Sequence, residues 1–168
     1  LHTGIHSFPT RRSSDLLEDR KHNLWIATLG GGLQYLDIKS DTFTTYNNSN
    51  SGLSNDYLSS LTFDKNGNLI IGHSGNFSIM DVATGKIQNY TTTRDGKKFS
   101  NESTTQILAD ERGLIWDGTM AGLNVYDPIN DQLTIIDTDS GLYGSMVCSV
   151  IEDKDHTIWV STDNGVSG

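Results

Sequence analysis

Leaving the first sixteen residues aside, the side chains best suited to chemistry are His22, His73, His156, Cys148 and the evenly placed aspartates Asp19, Asp64, Asp110 and Asp153. Imidazoles near carboxylates could ligate a metal or exchange protons. Their spacing argues against both. His22 and His156 each follow a leading aspartate by three residues, so they hold one place in two copies of a repeated turn. That place reads as a tolerated surface position rather than a ligand pair. Asp64-Lys65-Asn66-Gly67-Asn68 opens like a calcium loop, but its twelfth position is Gly75 instead of a bidentate glutamate. Gly30-Gly31-Gly32 would cradle phosphate only between a strand and a helix, and a strand follows instead. Cys148 lies in the apolar run Met146 to Ile151 and reads as a small buried hydrophobe; a single cysteine forms no internal disulfide. No Ser-His-Asp set assembles on spacing and no pair of acids stands out. Catalytic, metal and cofactor-binding residues are therefore expected to be absent. His73 remains the one ligand-binding candidate, because the other copies carry Thr28, Thr119 and Thr162 at its place.

What positions these residues is a repeat. The leading aspartates Asp19, Asp64, Asp110 and Asp153, and the apolar centres Trp25, Ile70, Trp116 and Trp159, both step by 45, 46 and 43 residues. Apolar runs of about four to seven residues are broken by Asn, Gly, Asp and Ser clusters, which is a strand and turn pattern without helical periodicity. The second unit shows four runs: Tyr57 to Phe63, Leu69 to Gly72, Phe77 to Asp81 and Ile87 to Thr91. Four short antiparallel strands per repeat make a β-propeller blade, so the chain is expected to be all-β. The expected blades are about 17–56, 57–102, 103–145 and a partial 146–168, two of them full, with partial blades at both ends. Polar links at 47–55, 92–101 and 137–144 would ring one face, the usual place for recognition.

Residues 1–16 need separate treatment. His6 to Leu16, HSFPTRRSSDL, resembles one reading frame of a short-read sequencing adapter, and Leu1-His2 continues the match upstream. The resemblance implies a disordered artefact that has replaced the start of the first blade. The whole chain carries a formal net charge of −9; without Arg11, Arg12 and Asp15 it is −10. An acidic surface repels phosphate backbones, which argues against a nucleic-acid partner. No stretch approaches the roughly 20 apolar residues of a membrane-spanning helix.

LLEDRKHNLWIATLGGGLQYLD, ILADERGLIWDGTMAGLNVYD and VIEDKDHTIWVSTDNGV together resemble the two-component regulator propeller repeat, and the resemblance extends from Leu17 onward. Asp19, Trp25, Thr28, Gly32 and Leu33 carry it in the first unit, Asp110, Gly113, Trp116, Thr119, Gly122 and Leu123 in the third, and Asp153, Trp159, Thr162 and Gly165 in the fourth. It implies a periplasmic sensor region of a bacterial hybrid two-component system, ahead of a membrane helix, a kinase and often a DNA-binding output. It further implies an oligosaccharide ligand and a homodimeric parent. A propeller polysaccharide lyase or hydrolase, or a protein-interaction propeller, is the alternative.

The repeated residues themselves read as scaffold: tryptophans filling the gaps between blades, aspartates accepting turn amides, threonines beside the second turn. Ligand contacts are expected where blades differ. The second unit has Ile70 for Trp and His73 for Thr, and its following link inserts Lys97-Lys98. The third has Asp117 where Ile26, Ile71 and Val160 stand, a carboxylate that either faces solvent, finds partners invisible in the sequence, or is a read error. An incomplete ring leaves open edges, so the piece is expected to aggregate or remain partly unfolded.

Overall fold

The computed structural model describes residues 13–100 and 102–168. Fifteen strands and no helix occur among them. The first antiparallel sheet is β1 (Ser13–Glu18), β2 (Leu24–Thr28), β3 (Gly32–Asp37) and β4 (Thr42–Tyr46). The second is β5 (Leu58–Phe63), β6 (Leu69–His73), β7 (Asn76–Asp81) and β8 (Lys86–Tyr90). The third is β9 (Thr104–Ala109), β10 (Ile115–Thr119), β11 (Gly122–Asp127) and β12 (Gln132–Ile136). The fourth has three strands, β13 (Val147–Glu152), β14 (Ile158–Thr162) and β15 (Gly165–Ser167). Every sheet runs in simple chain order, and the first strands pack side by side, β1 on β5, β5 on β9 and β9 on β13. This is a β-propeller arrangement of blades.

The first blade corrects an expectation. Residues 13–16 were expected to lie outside the fold, yet β1 begins at Ser13 and pairs with β2 through Asp15↔Ala27 and Leu16↔Ile26. Three blades are therefore four-stranded, not two. The reason is physical: a polar inner strand needs only its neighbour's backbone, and Asp15 Oδ2 accepts the Leu61 amide of the next blade at 2.7 Å. Residues 1–12, where the rest of the adapter resemblance falls, lie outside the described residues.

One carboxylate organises each first turn. Asp19, Asp64, Asp110 and Asp153 accept through Oδ1 the amides of Asn23, Asn68, Leu114 and Thr157 at 2.8–3.0 Å. The turn needs a residue at positive φ; Gly67 (87°) and Gly113 (92°) supply it in the middle blades, and His22 (66°) and His156 (63°) occupy it in the outer ones. Nδ1 of each histidine meets a glutamate, Glu18 and Glu152 respectively. At the second turn Thr28, Thr119 and Thr162 donate to the carbonyls of Gly32, Gly122 and Gly165 at 2.7–3.1 Å.

Alternate residues of each strand face opposite neighbours. Trp25, Ala27 and Leu33 of the first blade pack with Leu58, Leu61, Leu69, Ile71 and Met80 of the second. Ile70 and Phe77 pack with Ile107, Ile115, Tyr126 and Leu133 of the third, and Leu123 and Trp116 with Val147, Val150 and Val160 of the fourth. Trp25 and Trp116 thus each face the blade that follows theirs. Trp25 is 2 % exposed, Trp116 is half-buried, and Trp159, on the outward side of the fourth blade with Ile151 and Val166, is 43 % exposed. The blades approach so closely that a Cβ on Gly118 would lie 2.6 Å from Val147 Cγ1.

A second device recurs at the inner edge. The first strand of each blade has amides with no strand beyond them. The preceding blade supplies a side-chain acceptor: Asp15 to Leu61, Ser60 to the Ile107 amide at 3.2 Å, and Gln106 Oε1 to the Val150 amide at 2.9 Å. The three acceptors follow the β-bulge of their strands, where the register shifts. Cys148 occupies the fourth such bulge and is exposed, which corrects the expected burial. The extra residue of a bulge leaves the alternation of the strand, so an apolar run no longer fixes which way it points.

Candidate functional site

The turns between the second and third strands lie beside the ends of the links: the Gly30 amide donates to the Asp56 carbonyl at 2.9 Å, Met120 to Ser103 at 3.2 Å and Asp163 to Met146 at 3.0 Å. Leu53 and Leu142 descend from the first and third links into the adjacent cores. In the second link the residue after Gly96 is Lys97, and Phe99 takes the buried role instead. The inserted residues fold into a turn of their own, with Thr93 and Lys97 paired backbone to backbone at 2.9 Å. That turn docks on the third blade: Lys97 Nζ donates to the Leu133 carbonyl at 2.6 Å and the Arg94 amide to Asp131 Oδ2 at 2.6 Å.

Phe99 joins an aromatic cluster in the core between the second and third blades, where Ile70 stands at the tryptophan position. It meets Phe77 edge-on at 5.4 Å and Tyr126 at 5.3 Å, and Tyr90 stacks on Phe77 at 5.2 Å. Four rings thus pack together at this junction. Outside them a recess of about 290 Å³ is lined by Gln88, Tyr90, Thr92, Arg94, Tyr126 and Asp131. Tyr126 donates to Asp131 Oδ1 at 2.8 Å, and burial, then that bond, raises its phenol well above the ordinary range.

His73 is 2 % exposed. Its Nε2 lies 3.2 Å from Ser54 Oγ and 3.0 Å from Ser78 Oγ, and its Nδ1 faces the Ser74 carbonyl at 3.3 Å. Burial lowers its pKa and the Ser74 carbonyl opposes that shift. The side chain ties the first link to the second blade, the service threonine renders to its own turn elsewhere, and it is not presented to the face.

Asp117 has partners that the sequence did not disclose. It is fully buried at the junction of the second and third blades. Thr104 Oγ1 donates to Oδ1 at 2.7 Å and Asn124 Nδ2 to Oδ2 at 2.9 Å. Thr104 Oγ1 also lies 3.0 Å from the Asn76 carbonyl of the second blade, and Asn124 binds Ser100 of the link through Nδ2 at 3.0 Å and through Oδ1 at 3.3 Å. Burial raises the Asp117 pKa to about 6 against the pull of Thr104 and Asn124. The network joins two blades and a link around one acid. Its hydroxyls and amide could not have been assigned to Asp117 by spacing alone.

The departures Ile70, Lys97-Lys98 and Asp117 thus converge on one junction, whereas His73 faces the other side of its blade. The repeat aspartates, tryptophans and threonines are engaged in turns and cores. Among the described residues no group of three or more His, Cys, Asp or Glu side chains could hold a metal ion, and no helix is long and apolar enough to cross a membrane.

No known family profile matches the chain, and no curated protein matches it in sequence. Solved structures do. Over 92 % of its length the chain is similar, at 25 % identity and a TM-score of 0.71, to the extracellular domain described for a hybrid two-component system, BT3049 of B. thetaiotaomicron. Over 95 % it superposes on the corresponding domain of BT4673 from the same organism, at 24 % identity and a TM-score of 0.78. It spans 20–21 % of the length of those chains. A catalytically inactive virginiamycin B lyase from Staphylococcus aureus shares the fold alone, at 11 % identity and a TM-score of 0.67. None of these likenesses supports an adapter origin for residues 1–16. The chain is a β-propeller similar to the extracellular domain of a hybrid two-component system.

Proposed function

We propose that this chain is a ligand-sensing portion of a periplasmic propeller in a hybrid two-component sensor, recognising oligosaccharides and biasing the geometry of a homodimeric parent. The likeness to the BT3049 extracellular domain, at 25 % identity across 92 % of the chain, carries the reading. Two features of the molecule accord with it. The repeated aspartates and threonines serve the turns of the blades. The irregular residues collect at blade junctions, where binding free energy can shift one blade against the next.

Sequencing the genomic locus tests the reading. A membrane-spanning helix followed by a kinase in the same reading frame is expected. A lyase or hydrolase domain there would overturn it, as would turnover of a glycan by the purified parent protein.

A further inference from the structure

The first turns of the blades form the face opposite the links, and their junctions are not alike. Between the second and third blades Lys65 Nζ donates to the Arg112 carbonyl at 3.3 Å, and between the third and fourth the Glu111 amide donates to Glu152 Oε2 at 3.0 Å. Arg20, which stands in the first blade where Lys65 and Glu111 stand in theirs, makes no such bond among the described residues. A cleft of about 370 Å³ opens at that junction instead.

Its floor is aromatic. Trp25 lies against Tyr35 at a centroid distance of 4.5 Å and against Tyr46 at 6.1 Å, and Phe63 completes the lining from the second blade. One polar atom of the floor is stranded. In the third and fourth blades the indole N–H donates to the repeat aspartate, Trp116 to Asp110 at 3.0 Å and Trp159 to Asp153 at 2.7 Å. In the first blade Asn23 Nδ2 takes Asp19 Oδ2 at 3.3 Å, and the buried Trp25 Nε1 has no partner. An unpaired buried donor is unfavourable, and an acceptor brought to it removes that penalty.

Three carboxylates, Glu18, Asp19 and Asp64, and two cations, Arg20 and Lys21, stand around this floor. Acids in excess of bases disfavour an anion. Carboxylate, guanidinium and ammonium groups side by side both accept from and donate to hydroxyls. Aromatic rings below and mixed polar groups around them suit a ring that is apolar on its faces and hydroxylated at its rim.

We propose that the cleft between the first two blades binds an uncharged saccharide ring, with the Trp25 indole N–H donating to one of its oxygens. The assignment rests on the sensor reading above and gives it a site and a ligand charge. Calorimetric titration of the full chain with maltotriose, cellotriose, xylotriose, mannotriose and trigalacturonate tests it, alongside Trp25→Phe and Arg20→Ala. Trp25→Phe keeps a ring and removes a donor that has no partner in the free protein; circular dichroism checks that both variants fold. At least one neutral trisaccharide is expected to bind, about tenfold more weakly to Trp25→Phe and several-fold more weakly to Arg20→Ala. Equal affinity in wild type and both variants would overturn the cleft while leaving the sensor reading standing. A preference for trigalacturonate would overturn the uncharged assignment. If none of the five saccharides binds the wild type, the cleft and the saccharide reading both fall.

Discussion

Asp117 is fully buried at a blade junction, where burial raises its pKa to about 6, and replacing it with isoleucine, the residue of the first two blades at this place, should remove a pH-dependent burden. Its folded pKa is about 6, against an ordinary value of 3.8. Below about pH 4 the group is neutral in folded and unfolded chains alike, and its contribution is at its most favourable. From there to about pH 6 the unfolded chain ionises while the folded chain keeps its proton, so stability is lost as pH rises, and above that the loss is constant. A displacement of about two units corresponds to about 3 kcal/mol. For a chain of this size that is about 6–12 °C in melting temperature. Urea denaturation followed by tryptophan fluorescence, on wild type and Asp117→Ile between pH 4 and 7.5, measures it. Carboxylates such as Asp37, Asp81 and Asp127 have lowered pKa values from turn hydrogen bonds and pull stability the other way, but they are common to both proteins. The difference between variant and wild type should therefore rise by about 3 kcal/mol across the range. A difference that stays flat would refute the buried-acid reasoning.

The remaining predictions concern the repeated devices. Trp116→Phe leaves the Asp110 carboxylate short of a donor and should lower stability by about 1–2 kcal/mol more than Trp25→Phe, whose indole has no partner; equal losses by denaturant titration would count against the indole bond. Ser60→Ala strands the Ile107 amide at the inner edge and should destabilise by about 1–2 kcal/mol, with amide exchange at Ile107 accelerated; unchanged exchange would dismiss the inter-blade tie. His156→Gly relieves a side chain held at φ 63° and should be neutral or stabilising by up to about 1 kcal/mol, whereas a marked loss of stability would show that the Glu152 contact outweighs backbone strain.

The repeat was legible because its parts are local. An aspartate, a positive-φ residue and a threonine each serve a turn within four residues, so spacing alone exposes them. What crosses between blades was not. Asp15 belongs to the fold because Leu61, 46 positions later, needs an acceptor. Phe99 takes the buried place that Leu53 and Leu142 hold in the other links, although the inserted Lys97-Lys98 displaces it from their position after the glycine. His73 looked like a departure aimed at a ligand, but Ser54 and Ser78 account for both its burial and its bonds. Cys148 sits in an apolar run whose alternation a bulge interrupts.

The central claim is that the blades stack with Trp25 and Trp116 turned toward the blade that follows, while Trp159 stands on the outward side of the fourth blade. Acrylamide quenching of three variants, each retaining one tryptophan with the other two changed to phenylalanine, tests it most directly. Trp25 should be strongly protected, Trp116 intermediate and Trp159 readily quenched, following their burial. Equal quenching of the three, or a Trp25 as accessible as Trp159, would contradict the stacked-blade account.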